Sequence, residues 1–511
     1  DSTILIEDTN NGADGKYKTI MAYPGDEVVW DFSAMEVSDS NRGVVLDGDY
    51  WYFKGFEITK AGDNGMLLAG NDNLIELMEF NDNQDTGLQL SRYKTSNADI
   101  GSWPSDNLIL NCTAKNNCDN ETMENADGFA AKLTCGEGNV FDGCMSYNNS
   151  DDGWDLYAKS ETGPIGVVTI RNCIAFRNGY TEFGEGFGDC DGNGFKLGGG
   201  GIGTAHIVEN CLAFENLNCG FTDNNNPKLG SVSKCTAYNN GIGGNGKPNF
   251  SCYRCTDDGC DFSAVLTYVN ADNFNAALAP GISSAKIAND KFVGTMENSA
   301  YYNGGKYYNV TDKQTINNGD KIGNIVTITD DDFISLEVAP YVSASEGSGA
   351  DWFDFHKEWR NADGILNTGG FLETKDSSEY KDIGIDFQSI ELPIDPIDPP
   401  VTTEPIPVTT SSTTTAVTTE DVPDSTTEVT TEVIPDGTKY GDVNTDGSVN
   451  IADVVALNMY ILNNEVNAIS SEGKANADCA RDNKIDASDS LTLMNYVAMV
   501  ISADKLGQTL E

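Results

Sequence analysis

One pattern recurs six times in the first half of the chain: DNGMLL (63–68), DTGLQL (85–90), DGFAAKL (127–133), DGWDLY (152–157), NGFKL (193–197) and CGFTD (219–223). The glycines of these copies lie 22, 41, 25, 41 and 26 residues apart. Short steps of nearly equal length, interrupted by longer ones, are typical of a solenoid that carries loops on some of its coils.

Apolar residues alternate with other residues after each glycine. The position that follows the glycine holds Met66, Leu88, Phe129, Trp154, Phe195 and Phe221. The position three residues after the glycine is leucine or alanine in five of the six copies. A period of two predicts short strands with one buried face. We therefore expect an all-β parallel β-helix whose coils stack about 4.8 Å apart.

A second set of segments supports the same repeat: NCTAKN (111–116), GCMSYN (143–148), NCIAFRN (172–178), NCLAFEN (210–216) and KCTAYN (234–239). Their cysteines form one column, which we expect to fill the core, because free cysteine is a small buried residue. A disulfide between adjacent coils is the alternative. We expect a ladder of stacked, hydrogen-bonded asparagines that comprises Asn116, Asn148, Asn178, Asn216 and Asn239.

The composition excludes several classes of protein. The 511 residues include 31 Lys and Arg against 80 Asp and Glu, a formal net charge of −49, which argues against nucleic acid and anionic membranes as partners. No run of about 18 apolar residues is present to span a bilayer. With two histidines, His206 and His356, a Ser-His-Asp or His-ligated zinc enzyme is poorly supported. The start at Asp1, without methionine or a basic leader, is interpreted as a processed, secreted product.

The composition also divides the chain into three parts. Residues 1–390 contain the repeats and must form the large domain, and residues 391–437 are mostly Pro, Thr, Val and Glu without an aromatic residue. Such a stretch cannot bury a core and is expected to be a disordered, extended linker. Residues 438–511 remain for a small C-terminal domain.

Four aspartates are expected to meet on the outer side of two successive coils. Asp127 and Asp152 precede the glycines of adjacent copies, Asp151 lies beside them, and Asp155 follows Gly153 by two positions. At an effective dielectric constant near 20, like unit charges about 5 Å apart repel each other by roughly 3 kcal/mol. Such a cluster requires protons or a cation, and oxygen ligands at this density favour Ca²⁺.

Lys196 stands one coil beyond Asp155 in the same column of outward residues. A surface ion pair would be worth at most about 1 kcal/mol. Above a metal ion that holds a carboxylate substrate, however, a neutral lysine can remove a proton α to that carboxylate. The sequence therefore indicates proton abstraction by Lys196.

The spacing of the four aspartates, followed by Lys196 in GNGFKLGG (192–199), resembles family 9 polysaccharide lyases, which are pectate lyases with a right-handed parallel β-helix. The resemblance covers most of residues 1–390. It implies that Asp127, Asp151, Asp152 and Asp155 bind one Ca²⁺ and that Lys196 is the Brønsted base. The implied reaction is eliminative cleavage of α-1,4-polygalacturonate.

Further expectations concern the substrate and the pH. Lys132 is a candidate to bind a neighbouring uronate carboxylate, and Arg92 and Arg177 are weaker candidates. Four carboxylates and one Ca²⁺ leave a charge of about −2 near Lys196, which should hold its pKa near or above the usual value of about 10.4. We therefore expect an alkaline activity optimum.

The C-terminal domain contains two loops with the spacing of calcium ligands. The first has Asp442, Asn444, Asp446, Ser448 and Asp453 at positions 1, 3, 5, 7 and 12, with glycine at position 6. The second has Asp478, Asp482, Lys484 and Asp489, but alanine at position 3 and asparagine at position 6. Each loop precedes an apolar helix, and the duplicated unit resembles a dockerin. The resemblance implies up to two Ca²⁺ ions and a cohesin module of a cellulosome scaffold as partner.

These expectations describe a secreted, calcium-dependent pectate lyase attached to a cellulosome by its dockerin. Two alternatives stay open. The β-helix could be a polygalacturonase-like hydrolase that uses paired aspartates as acid and base, or it could be a pectin-binding solenoid without catalysis.

Overall fold

The computed structural model describes residues 2–181, 190–242, 246–256, 259–270, 288–337 and 354–390, and, towards the C-terminus, 439–445, 449, 451–462, 469–479, 481, 484–485, 489–490 and 492–493. The chain divides into two compact units, Asp1–Pro405 and Ile406–Glu511. The division falls within the predicted linker, 391–437, which lies outside the described residues, so its disorder stays a prediction.

The larger unit is wound from three sheets, and most coils contribute one strand to each sheet. Sheet 1 contains β1 (Ile4–Ile6), β4 (Val44–Leu46), β7 (Met66–Leu68), β10 (Leu88–Leu90), β13 (Phe129–Ala131), β16 (Trp154–Asp155), β19 (Phe195–Lys196), β22 (Phe221–Thr222), β25 (Phe250–Cys252) and β28 (Lys291–Phe292). Sheet 2 contains β2 (Lys18–Met21), β5 (Trp51–Lys54), β8 (Leu74–Glu76), β11 (Leu108–Leu110), β14 (Asn139–Asp142), β17 (Val168–Arg171), β20 (Ile207–Glu209), β23 (Ser231–Ser233), β26 (Cys260–Ser263), β29 (Gly294–Glu297) and β32 (Gln314–Ile316). Sheet 3 contains β3 (Val28–Asp31), β6 (Phe56–Thr59), β9 (Glu79–Asn81), β12 (Thr113–Lys115), β15 (Met145–Tyr147), β18 (Ile174–Phe176), β21 (Leu212–Phe214), β24 (Thr236–Tyr238), β27 (Leu266–Tyr268), β30 (Ser299–Asn303), β31 (Lys306–Val310) and β33 (Asn324–Val326).

The strand register of sheet 1 agrees with the alignment of the repeats. The residue two positions after each glycine pairs with its equivalent on the next coil, so that Gln89, Ala130, Asp155, Lys196 and Thr222 follow one another. These pairings are parallel. The predicted parallel β-helix is therefore confirmed.

One aromatic ring per coil fills the interior behind sheet 1. Phe129, Trp154, Phe195, Phe221 and Phe250 are fully buried, and successive ring centroids are 5.0, 4.8, 4.8 and 4.8 Å apart. This separation matches the distance between neighbouring strands, about 4.8 Å. The rings therefore stack in step with the backbone, and each pair adds about 0.5–1.5 kcal/mol beyond the burial of its area.

The cysteine column lies in the same interior. Cys112, Cys144, Cys173, Cys211 and Cys235 are fully buried, and all thirteen cysteines are free thiols. The expectation of core packing is confirmed, and the alternative of disulfides between coils is not.

The asparagine ladder is displaced by one residue from the prediction in three coils. The side-chain amide of each asparagine donates a hydrogen bond of 2.8–3.0 Å to the side-chain carbonyl of the asparagine on the next coil. The members of the ladder are Asn117, Asn149, Asn178, Asn216 and Asn240. The predicted members Asn116, Asn148 and Asn239 have φ of 55°, 54° and 47°, the left-handed conformation that asparagine tolerates. Arg177 and Glu215 take this conformation in the other two coils. Each turn therefore consists of one left-handed residue and one inward-facing asparagine.

The sequence assigns no site to residues 262–390, whose described parts complete the solenoid and include a segment that packs on sheet 3. The pairs β29–β32, β30–β31 and β31–β33 are antiparallel. The segment 354–390, which begins with helix α1 (Phe355–Glu358), packs against the outward side chains of sheet 3. The ring of Phe355 contacts Tyr147 and Phe176, and Phe371 contacts Phe214.

Both histidines have packing roles. His206 is fully buried and accepts a hydrogen bond from the Val168 amide at its Nδ1 (3.1 Å), while His356 Nδ1 lies 2.7 Å from Thr113 Oγ1. Burial lowers the pKa of His206 to about 3 and that of His356 to about 4. Neither histidine is poised to exchange protons near neutral pH.

The smaller unit contains helices α2 (Ile451–Leu462) and α3 (Ser471–Ala477) among its described residues. A small core of Val443, Val454, Leu457, Cys479 and Leu493 is buried between these segments. Among the residues that the structure describes, every helix is too short or too polar to cross a membrane.

Candidate active site and metal centre

Three of the predicted calcium ligands converge beside sheet 1. Asp127, Asp152 and Asp155 each place one carboxylate oxygen within 4.8 Å of the other two, and all three side chains are buried. Asp127 and Asp152 lie in the turns that enter β13 and β16, and Asp155 ends β16. The Asp127 carboxylate accepts a hydrogen bond from the Asp152 amide (3.2 Å), which locks the two turns together.

Asp151 supports the same turns. Its two carboxylate oxygens accept hydrogen bonds from the amides of Asp191 (2.6 Å) and Asn125 (3.0 Å). Each of these oxygens has a second lone pair, so the contacts leave Asp151 able to contribute a ligand.

Two buried lysines face the aspartates. Lys196 Nζ lies 3.0 Å from Asp152 Oδ2, 3.6 Å from Asp155 Oδ2 and 2.9 Å from Asp191 Oδ2. Lys132 Nζ lies 2.6 Å from Asp127 Oδ2 and 3.6 Å from Asp155 Oδ2. The two ammonium groups therefore flank Asp155 from opposite coils.

Burial and mutual repulsion disfavour the charged forms of the aspartates in this cluster. Burial, reinforced by the neighbouring carboxylates, raises the pKa of Asp127 and Asp152 well above the usual range. Burial lowers the pKa of Lys196, but the attraction of Asp152, Asp155 and Asp151 outweighs this effect and raises it overall. The carboxylates are thus underneutralised, and a cation is the physical remedy.

The donor set fits calcium. Oδ1 of Asp155 is buried and accepts no hydrogen bond from the described residues, which is costly for a carboxylate oxygen. The three converging ligands are all oxygens, the set that Ca²⁺ prefers. The residues present would therefore hold a hard divalent cation.

Two of the residues predicted to contact the substrate, Lys132 and Arg177, are buried. Lys132 is 6% exposed and points into the acid cluster, so its charge neutralises aspartates of the protein. Arg177 is 2% exposed, pairs with Glu215 (3.0 Å) and lies against the rings of Phe176 and Phe355. The segment 354–390 thus covers Arg177, and the substrate roles of Lys132 and Arg177 stay predictions.

Arg92 lies at the surface, as a substrate contact requires. It is partly exposed, and one nitrogen of its guanidinium donates to the Asn97 carbonyl (2.9 Å). Its role stays a prediction.

Two acidic residues near the cluster, Asp191 and Asp85, were not identified from the sequence. Asp191, which pairs with Lys196, lies four residues before the start of β19, outside the aligned positions. Asp85 lies close to Asp63, and burial together with this neighbour raises the pKa of Asp63 to about 7. Asp63 and Asp85 each stand two positions before the glycine, in DNGMLL and DTGLQL. The alignment of the repeats therefore already indicated that these two carboxylates are neighbours.

The calcium loops of the smaller unit are described in part. In the first, Asp442 and Asp453 are buried, and the Asn444 amide donates to Asp453 Oδ1 (3.0 Å). In the second, Asp489 is buried, Asp478 follows α3 and Lys484 is exposed. The other predicted ligands, Asp446, Ser448 and Asp482, lie outside the described residues. Calcium binding by these loops stays a prediction.

Residues 1–256, just over half of the chain, match the family model described as Pel9A-like, right handed beta helix region. The chain belongs to this family. Residues 440–498 match the model of the dockerin type I domain.

Two proteins with similar sequences are named pectate lyase L. The chain is 51% identical over 240 residues to pectate lyase L of Paenibacillus polymyxa (strain SC2), covering 47% of this chain and 53% of that protein. It is 46% identical over 245 residues to pectate lyase L of Thermoclostridium stercorarium, covering 48% of this chain and 19% of that protein. The chain thus spans about half of the first relative and less of the second.

A solved structure shows the same fold. The crystal structure of pectate lyase Pel9A superposes with a TM-score of 0.53 at 26% identity, covering 74% of this chain and 76% of that chain.

Proposed function

We propose that this chain is a calcium-dependent pectate lyase that cleaves α-1,4-polygalacturonate by β-elimination. The observation that carries the proposal is the position of Lys196, whose Nζ lies 3.0 Å from Asp152 on the rim of a buried three-aspartate cluster. Membership of the Pel9A-like family and the pectate lyases among its relatives support the same activity.

In this proposal, Asp127, Asp151, Asp152 and Asp155 hold Ca²⁺. When bound, the ion supplies a positive charge that neutralises the uronate carboxylate and makes the adjacent C5 proton more acidic. The buried carboxylates exclude water from the inner side of the site and fix the position of Lys196.

Lys196 acts as the base on the C5 proton. Its neutral amine takes that proton, the C5–H electron pair forms the C4–C5 double bond, and the C4–O4 bond breaks. O4 leaves with the electron pair of the C4–O4 bond and is protonated as the new chain end. The product therefore carries one new double bond, and no water is consumed.

The ion pairs seen in the structure compete with the proposed metal. The ammonium groups of Lys132 and Lys196 contact the carboxylates that would ligate Ca²⁺. Lys132 is therefore proposed to hold the site together when the metal is absent. Arg92 is proposed as a contact for a second uronate carboxylate.

The smaller unit is proposed to bind a cohesin module, through two calcium loops of the dockerin type. The match over residues 440–498 supports this proposal. It implies a secreted, extracellular enzyme attached to a cellulosome.

The decisive experiment is product analysis on polygalacturonate with and without added Ca²⁺. An eliminative lyase yields ultraviolet-absorbing unsaturated ends, whereas the alternative hydrolase yields saturated ends. Lys196→Ala should bind the polymer but form unsaturated product far more slowly than the wild type. The control is Lys306→Ala, which replaces an exposed lysine in β31. Unchanged cleavage by Lys196→Ala would exclude lysine as the base, and binding without cleavage by the wild type would favour the non-catalytic solenoid.

A further inference from the structure

The outward column that contains Asp155 and Lys196 continues over three more coils. Thr222 pairs with Lys196, Ser251 pairs with Thr222, and Lys291 pairs with Ser251. Three strand spacings of about 4.8 Å separate Lys291 from Lys196, or about 14 Å. The column thus extends the proposed catalytic site along the solenoid axis.

The coils that contain Ser251 and Lys291 present a cationic–aromatic patch, which we define as Tyr253, Arg254 and Lys291. The Arg254 guanidinium carbon lies 4.8 Å from the centroid of the Tyr253 ring, and Lys291 Nζ lies 5.0 Å from the same centroid. One tyrosine ring therefore contacts both cations through cation–π interactions.

Arg254 is held in place by the protein. Its guanidinium donates to Thr222 Oγ1 (2.8 Å) and pairs with Asp223, which is fully buried. The side chain of Arg254 is nevertheless 29% exposed. The Asp223 pairing fixes one edge of the guanidinium and leaves part of it accessible to a ligand.

The coil of Thr222 lacks the aspartate that two earlier coils carry immediately before their glycines. Cys219 occupies the position before Gly220 that Asp127 and Asp152 hold on lower coils. Burial raises the pKa of its thiol to about 11, and the charges of Lys247, Arg254 and Lys291 act against that rise. The acid cluster thus lies on one side of Lys196, and the patch, in which Arg254 pairs with Asp223, lies on the other.

We propose that the cationic–aromatic patch is a binding subsite for a carboxylate-bearing sugar of the substrate chain, on the side of Lys196 opposite the acid cluster. The inference rests on the proposed function. A polyuronate carries a carboxylate on every sugar, and the acid cluster can accept one only through a metal ion. On the patch, Arg254 and Lys291 bind the carboxylate directly, and Tyr253 offers its ring to the sugar.

The test compares Lys291→Gln with Lys306→Gln, a variant of an exposed lysine on β31 of sheet 3. With polygalacturonate and saturating Ca²⁺, Lys291→Gln should raise KM about fivefold at nearly constant kcat, the size expected for one partly exposed ion pair. The effect should shrink in high salt. Equal KM values for the two variants would overturn the subsite.

Binding measurements separate this inference from the proposed activity. Calorimetric titration of oligogalacturonates, from dimer to octamer, should show weaker binding by Lys291→Gln than by wild type only for oligomers long enough to reach the patch. The difference should vanish for a methyl-esterified octamer, which lacks the carboxylates. If the wild type forms no unsaturated product, the proposed function fails, yet this titration still decides the subsite. Equal affinity of wild type and Lys291→Gln for the octamer would overturn it.

Discussion

Replacing Lys132 by methionine should make the stability of the β-helix depend on calcium. The substitution keeps an unbranched side chain of similar length but removes the ammonium group that lies 2.6 Å from Asp127 and 3.6 Å from Asp155. At an effective dielectric constant of about 20, these two attractions amount to roughly 6 and 5 kcal/mol before desolvation. Removing one partner of such a buried pair typically costs about 3–5 kcal/mol.

This loss of stability should be large only when calcium is removed. In a chelator, Lys132→Met leaves Asp127 buried without its partner, and the unfolding temperature of the Asp1–Pro405 unit should fall by about 4–6 °C. With saturating Ca²⁺ the ion takes over the neutralisation, and the loss should drop below about 1 kcal/mol. The thermodynamic cycle then requires Ca²⁺ to bind the variant about a hundredfold more tightly than the wild type.

Scanning calorimetry of the full chain, with and without chelator, measures both losses. Lys115→Met is the matched control, because Lys115 is a largely buried lysine paired with Glu79 (2.9 Å) on sheet 3. Its loss of stability should be the same with and without calcium. The reasoning is refuted if Lys132→Met lowers the unfolding temperature equally in both conditions, since the metal would then not replace the lysine.

Four further outcomes are expected. Lys196→Ala should lower the rate of unsaturated-product formation by about 10²–10⁴ in saturating Ca²⁺; a loss below tenfold would contradict its role as base. Because the pKa of Lys196 is raised and only its neutral form accepts a proton, the wild-type rate should climb from neutral to alkaline pH, and an acidic optimum in the pH–rate profile would argue against this base. Asn178→Ala, which interrupts the ladder between Asn149 and Asn216, should lower the free energy of unfolding by about 1–3 kcal/mol in urea titrations, whereas a loss under about 0.5 kcal/mol would mean that the ladder adds little. Chelation should reduce the helical circular dichroism of an isolated 438–511 fragment, and an unchanged spectrum would contradict calcium-dependent folding of its loops.

The repeated glycines and apolar positions were sufficient to predict the solenoid. Each coil must place the same kinds of residue at the same points of its turn, so the pattern is local and legible in the sequence. Asp155 and Lys196 are separated by 41 residues but occupy equivalent positions, and parallel stacking makes them neighbours. For the same reason the meeting of Asp127 and Asp152 was predictable.

Residues outside the repeating positions could not be placed in this way. The asparagine ladder was displaced by one residue because Asn116 and Asn117 have the same side chain, and only the backbone shows which of them is left-handed. The sequence made Arg177 a weaker candidate for a substrate contact, but it could not show that the distant segment beginning at Phe355 covers this residue. Arg254 follows the end of its strand and carried no sign of its contact with Thr222.

The sequence by itself determined which residues share a column, since identical coils repeat identical geometry along one axis. Only the tertiary structure decided where long side chains point and which ends of the turns are covered. Lys132 shows the difference: its place in the repeat is evident from DGFAAKL, but its direction into the acid cluster follows from the charges of Asp127 and Asp155 on neighbouring coils. A flexible side chain follows the electrostatic field of the folded protein, and that field exists only once the coils are stacked.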